Sequence, residues 1–203
     1  LHGLATLMHD KGHYTESHLL HERSLNIRQE KLGPAHPQTS HSLQGLGALL
    51  HELGDYETSH DLHLRALEIR KEIFGEAHPT TANSLESLAL LLHDKGALEE
   101  SERMHRTALL IRTEKLGDDH PQTASSLHGL ANLHFDQGQF AKSEELHAQA
   151  LGIREKKLGK DHPHTAHSLQ GLGSVKTLTG DHAQAAELLE RSLFINRKIG
   201  RAH

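Results

Sequence analysis

The chain has no cysteine and no tryptophan, and four Phe and two Tyr make up the 3% of its 203 residues that are aromatic. Without cysteine there are no disulfides, no thiolate zinc sites and no cysteine nucleophile, and the redox compartment leaves no mark on the sequence. So few large rings deprive a compact core of its usual anchors, and thin helical layers fit the composition better. The formal charge of -5 comes with mixed signs and no basic stripe. Neither phosphate neutralisation nor base stacking is provided for, which excludes nucleic acid as a partner. No apolar run approaches the roughly 20 residues that span a bilayer, and the first residues lack a charged-then-apolar signal pattern. The expectation is a chain without membrane contact and, by default, a cytoplasmic one. It opens at Leu1 without Met, inside an expected helix, which predicts a natural protein extending in both directions.

What the sequence has in abundance is glycine at fixed intervals. Gly33, Gly75, Gly117 and Gly159 follow one another at 42 residues, and each opens the pattern Gly-x-x-His-Pro, as in Gly33-Pro34-Ala35-His36-Pro37. A further start, Gly200-Arg201-Ala202-His203, arrives one residue early. A second series, Gly12, Gly54, Gly96, Gly138 and Gly180, keeps the same period and divides each unit in two. In the first half Leu43, Leu46, Leu50 and Leu53 recur at spacings of three and four, the stripe of an amphipathic helix. Proline after each histidine suits a first helical turn, where its missing N–H has no partner to lose. The second half closes on a glycine, placed where a left-handed backbone ends a helix. The pattern predicts A helices near 37–53, 79–95, 121–137 and 163–179, and B helices near 56–73, 98–115, 140–157 and 182–199, after a truncated pair at 2–11 and 14–31. The expected organisation over 1–203 is one array: a partial repeat at 1–32, repeats at 33–74, 75–116, 117–158 and 159–199, and the start of another at 200–203.

Helix pairs with small residues at fixed offsets resemble the tetratricopeptide repeat in the 42-residue form of kinesin light chains and their relatives. The phrases Leu46-Gly47-Ala48-Leu49-Leu50, Gly54-Asp55-Tyr56 and Arg65-Ala66-Leu67-Glu68-Ile69-Arg70 carry the likeness. So do the small residues Ser17, Ser59, Ser101, Ser143 and Ala185, and Ser24, Ala66, Ala108, Ala150 and Ser192. The resemblance implies an all-α, right-handed superhelical solenoid of antiparallel helix pairs, whose A helices line a concave groove for a peptide or partner protein. Where kinesin light chains carry paired asparagines, this chain has Gln44-Gly45, Glu86-Ser87, His128-Gly129 and Gln170-Gly171. His2, Gln44, Glu86, His128 and Gln170 occupy the lysine place of the clamp that holds a C-terminal carboxylate in chaperone-binding repeats. Neither partner type is expected.

By register the groove carries His41, Gln44, Ala48, His51 and Glu52, then Asn83, Glu86, Leu90, His93 and Asp94, then Ser125, His128, Asn132, Phe135 and Asp136, with Gln170 following. Polar side chains of this kind can pair with an extended peptide backbone, with Leu90 and Phe135 as apolar anchors. Gly45, Gly129 and Gly171 lie inside A helices, where glycine costs about 1 kcal/mol relative to alanine. Tight helix packing is the favoured explanation over close approach by a ligand.

The chain's 22 histidines fall partly into series. Those before proline are turn residues, and His21, His63, His105 and His147, on B helices at the same period, are expected as half-buried packing residues. The pairs His18 with His21, His60 with His63, and His164 with His167 are spaced to share a metal, though two imidazoles are fewer than a zinc site needs. Protonating all 22 would move the formal charge from -5 to +17, so acid is expected to weaken folding or binding. No nucleophile elbow, phosphate loop or zinc-protease signature is present, so neither enzymatic activity nor a cofactor is expected. The preferred function is a protein-interaction scaffold. The alternatives are a histidine-based metal-binding or pH-sensing module, and the sensor segment of a larger signalling protein.

Overall fold

The computed structural model describes residues 1–200, and among these there are ten α-helices and no strand. They are α1 (His2–Asp10), α2 (Tyr14–Leu32), α3 (Pro37–Glu52), α4 (Tyr56–Phe74), α5 (Pro79–Asp94), α6 (Leu98–Leu116), α7 (Pro121–Asp136), α8 (Phe140–Leu158), α9 (Pro163–Thr179) and α10 (His182–Gly200). Odd-numbered helices are the A helices of the sequence pattern and even-numbered ones the B helices. Gly200 closes α10, and residues 201–203 of the expected further repeat lie outside the described residues.

The periodic Gly-x-x-His-Pro segment works as an N-terminal helix cap. The Nδ1 atoms of His36, His78, His120 and His162 accept the backbone N–H two residues on, at 3.1, 3.1, 3.2 and 3.1 Å. Each imidazole thus satisfies one of the donors a helix start leaves orphaned, a task more often done by Ser or Asp. The hydroxyls of Thr39, Thr81, Thr123 and Thr165 tie the same turn to the carbonyls of Gly33, Gly75, Gly117 and Gly159 at 2.8 to 2.9 Å. Those glycines differ in conformation from the left-handed helical cap expected of them. Gly33, Gly75 and Gly159 have φ of 95, 89 and 95° with ψ of 159, 164 and 162°. This mirror-extended region is essentially closed to any residue with a Cβ. The chain therefore leaves each of these B helices extended and can turn directly into the next His-Pro cap.

The molecule divides into two compact units, Leu1–Met104 and the part from His105 onward, with the division falling inside α6. In the first, Leu43, Leu46 and Leu50 of α3 are buried against Leu25 of α2 and Leu62 and Ala66 of α4, so each A helix is covered by its own B helix and by the preceding one. In the second, Ala166, Leu169 and Leu172 of α9 pack with Leu188 and Ile195 of α10 and with Leu151 of α8 in the same way. The small residues allow this closeness. Ser17, Ser59 and Ser101 are fully buried, and their hydroxyls donate to the carbonyls of Ala5, Gly47 and Ala89 on the paired A helix at 2.9, 2.8 and 2.7 Å. No helix among the described residues is long and apolar enough to cross a membrane.

Candidate binding groove and its histidine pockets

The glycines inside the A helices explain the histidines on the B helices. A Cβ built on Gly45 would stand 2.9 Å from Cε1 of His21 and 2.8 Å from that of His2. One on Gly129 would lie 2.7 Å from Cε1 of His105, and one on Gly171 only 2.4 Å from Cε1 of His147. Each histidine reaches the glycine 24 residues ahead, on the A helix of the following unit. The missing Cβ opens a window through which the imidazole edge rests on the helix backbone. The rings are more enclosed than the half-burial expected: His21, His63, His105 and His147 are 4, 2, 2 and 1% exposed. Helix packing, the favoured explanation for these glycines, is what the contacts describe.

Two concavities result. The first, about 330 Å³, is lined by His2, His21, His41, Gln44 and Gly45 among others, with Glu52 and Ser87 at its edge. The second, about 290 Å³, is lined by His128, His147 and His167, with Asn132, Phe135 and Gln170. Of the residues predicted for the groove, His41 and Gln44 therefore meet in one place, and His128, Asn132, Phe135 and Gln170 in another. Asn83, Glu86, Leu90 and His93 lie together on α5, where Leu90 is 48% exposed.

Several of these side chains are already engaged. Arg70 Nη2 donates to Gln44 Oε1 at 2.6 Å, and Gln44 Nε2 donates to Ser87 Oγ at 2.9 Å, so Gln44 is held inside a network. His51 pairs through Nε2 with Asp94 at 2.7 Å, and His93 meets the same carboxylate at 3.3 Å. One period earlier His9 pairs with Glu52 at 2.7 Å, and that hydrogen bond raises the His9 pKa above its usual value. Phe135 packs edge-on against Phe140 with ring centroids 5.7 Å apart. Asn132 Nδ2 approaches His128 Nε2 at 3.5 Å.

Burial keeps the pocket imidazoles neutral. Loss of hydration lowers His21, His63 and His147 to about 4 and His128 to about 3, with neighbouring histidines and arginines adding to the effect. His2, His41 and His167 are lowered for the same leading reason. Of the i,i+3 pairs, His21 and His63 are committed to glycine contacts, while the rings of His164 and His167 meet edge to face at 5.8 Å.

The structure adds a periodic arginine series that the leucine and glycine patterns do not point to. Arg28, Arg70, Arg112 and Arg154 stand at 42-residue intervals, and the last three are 3 to 4% exposed. Each donates through Nη1 to the carbonyl ten residues on and to the hydroxyl fourteen residues on, Ser42, Ser84, Ser126 or Ser168, at 2.6 to 2.8 Å for the serine. The shared period of arginine and serine is the signal that would have found it. These guanidiniums brace each B helix against the next A helix and put positive charge beneath the groove.

Comparison with known proteins bears on the family and the fold. A family model described as Tetratricopeptide repeat matches residues 1–72, 49–109, 80–156 and 124–198. Among curated proteins none matches significantly. The TPR-like repeats of a kinesin light chain-type protein from Podosopora anserina are 26% identical, with 98% of this chain and 95% of that one covered and a TM-score of 0.73. BtubC (BKLC) from P. vanneervenii is 22% identical over 98% of this chain and 80% of that one, with a TM-score of 0.77. The Rap conjugation gene regulator of the plasmid pLS20, in complex with the Phr* peptide, has a TM-score of 0.83 at 16% identity. The chain covers 52% of that protein's length, 97% of its own being matched, so this likeness concerns the fold.

Proposed function

The chain belongs to the tetratricopeptide repeat family, and on that premise we propose that it is a non-catalytic scaffold whose A-helix face holds an extended peptide or a segment of a partner protein. The observation that carries this reading is the second concavity, where His128, Asn132, Phe135 and Gln170, on two successive A helices, line one space of about 290 Å³. Amides and imidazoles there can exchange hydrogen bonds with a peptide backbone, and the face of Phe135 supplies apolar area to an otherwise polar surface. On α5, Leu90 is a second anchor beside Asn83, Glu86 and His93. The Rap regulator, a protein of this fold, is in complex with the Phr* peptide, which supports the reading. The whole span is proposed as one array of the repeats named above.

The test is capture with folded variants. Phe135→Ala and Leu90→Ser should each abolish retention of a captured partner, with or without chelator, at unchanged helical content. Leu110→Ser, on a B helix where Leu110 is 65% exposed, should leave retention intact. Equal loss with Leu110→Ser, or retention by the double variant Leu90→Ser with Phe135→Ala, would place the partner elsewhere.

A further inference from the structure

The same pocket is built twice. His2, His21 and His41 on α1, α2 and α3 recur as His128, His147 and His167 on α7, α8 and α9, each 126 residues later, three periods of 42. Gln44 and Gly45 recur as Gln170 and Gly171. The intervening units break the set: the same places hold Gln44, His63 and Asn83, then Glu86, His105 and Ser125. Ring geometry repeats as well. His2 and His21 meet at 5.2 Å and 75°, His128 and His147 at 5.0 Å and 62°, and His2 lies 4.3 Å from His41.

Both copies have the same deficit. The Nδ1 atoms of His2, His21, His128 and His147 are buried and have no hydrogen-bond partner, although His21 and His147 are only 4 and 1% exposed and line the two spaces. An unsatisfied buried polar atom costs about 1–3 kcal/mol; His63 carries one too, outside both spaces, but in each pocket two such rings face each other, which doubles the deficit there.

Charge and shape select among ligands. Arg28 stands near His2 and His41, with Arg70 also acting on His41, while His9 and His18 face His21. In the second copy Arg154 acts on His128, His147 and His167, and His164 lies beside them. This positive field repels a metal cation, and the lining of the second pocket contains no carboxylate. Among the described residues no cluster of three or more metal-ligating side chains is arranged to hold an ion. Three rings from three helices, the amides of Asn132 and Gln170 and the hydroxyl of Ser174 surround the space from several directions. A planar carboxylate uses donors in one plane; a tetrahedral oxyanion uses them all round.

We propose that each three-imidazole pocket is a proton-coupled site for a tetrahedral oxyanion, supplied as free phosphate or as a phosphorylated side chain, and that the second pocket is the tighter. An anion among the rings stabilises their charged form, so binding draws in protons that burial otherwise keeps out. Phosphate itself titrates near pH 6, in the range of an unperturbed imidazole. The first pocket is the weaker because Glu52, locked to His9, puts a negative charge on its wall. This site goes beyond the peptide reading, since inorganic phosphate alone would fill it.

Calorimetric titration of the whole chain with inorganic phosphate tests the idea, run near pH 6 and near pH 7.5 in buffers of differing ionisation enthalpy. Binding should be about tenfold tighter at the lower pH, a difference of about 1.4 kcal/mol, with measurable proton uptake. The variant His128→Gln with His167→Asn copies residues the chain already carries at those register positions, Gln170 and Asn83, so it should fold. It should lose at least about tenfold in affinity for the tighter site, whereas His2→Gln with His41→Asn should leave that site intact. A phosphoserine peptide binding more tightly than inorganic phosphate, and released on dephosphorylation, would identify the phosphorylated side chain as the source; equal affinity would identify the free anion. Identical phosphate affinity in wild type and the His128→Gln/His167→Asn variant overturns the proposal. So does binding without proton uptake, or stabilisation by Zn²⁺ with none by phosphate. Failure of partner capture would leave these outcomes untouched, so the two readings fail separately.

Discussion

At residues 45, 129 and 171 an A helix carries glycine and an imidazole rests on it from the preceding B helix; at residue 87 the same register carries serine. There the partner histidine, His63, lies instead against Gly47 of its own unit, with Cε1 3.0 Å from the place of a Cβ. At the register of Gly47 the units with His21, His105 and His147 have Ala5, Ala89 and Ala131. Each B-helix imidazole therefore meets one glycine, and which helix supplies it varies. The requirement belongs to the ring and not to the helix, since a buried five-membered ring needs more room than a methyl group leaves. At that register Ser87 stands at the edge of the first pocket, where its hydroxyl accepts from Gln44.

Acid should break the glycine contacts of His21, His63 and His147, together with the packing of His128, and it is the largest effect we expect. His21, His63 and His147 have folded values of about 4 and His128 of about 3, against 6.5 for an ordinary imidazole. Well above pH 6.5 neither folded nor unfolded chain protonates them, so they give stability no pH slope there. As pH falls from there toward about 4, the unfolded chain takes up protons that the folded one refuses, and stability falls by up to about 1.4 kcal/mol per pH unit for each ring. His9, raised by Glu52, works in the opposite sense and offsets a small part. Thermal unfolding should drop by more than about 10 °C between pH 7.5 and 5. A melting temperature that stays put would show that the rings are not held neutral.

Filling the windows separates them. Gly171→Ala gains about 1 kcal/mol in helix propensity but drives a methyl group into His147, which at 1% exposure has nowhere to go. A net loss of about 2 kcal/mol is expected, with a smaller loss for Gly129→Ala, where the ring stands 0.3 Å further off by the 2.4 and 2.7 Å separations. Urea unfolding of both variants measures this. Stabilisation by either one would mean that the glycines reflect drift in sequence and that the histidines yield readily.

How far the sequence disclosed these contacts follows from their range. The ten helices and their bounds came from local signals: leucines at three and four, proline after the cap, glycine beyond the end. The nature of the caps was less visible, because His36, His78, His120 and His162 act through Nδ1 where Ser or Asp is the usual choice. The histidine series and the helix-interior glycines were each legible by period. Their pairing was hidden, since it joins residues 24 apart across a helix boundary whose packing angle no local pattern specifies. The pairing of the arginine and serine columns is hidden for the same reason. In the groove, the period specifies positions on a face but not which side chains are already bonded, and Gln44, a groove position by register, is held by Arg70 and Ser87.

The smallest expected difference lies in one repeated position. Ser59 and Ser143 are both fully buried at the point where B meets A. Ser59 Oγ donates to the Gly47 carbonyl at 2.8 Å, while Ser143 Oγ has no partner. Removing the first hydroxyl leaves a buried carbonyl short of a donor, so Ser59→Ala should cost about 1 kcal/mol. Removing the second deletes an unsatisfied oxygen and leaves a methyl group in an equally small space, so Ser143→Ala should be neutral or stabilise by a few tenths of a kcal/mol. The relevant quantity is the difference between the two variants in chemical unfolding, because both share the same change in helix propensity. Ala185, which the last unit carries at this register, indicates that the packing tolerates the methyl. Equal losses in the two variants would mean that Ser143 finds its carbonyl in solution and that the four serine contacts act alike.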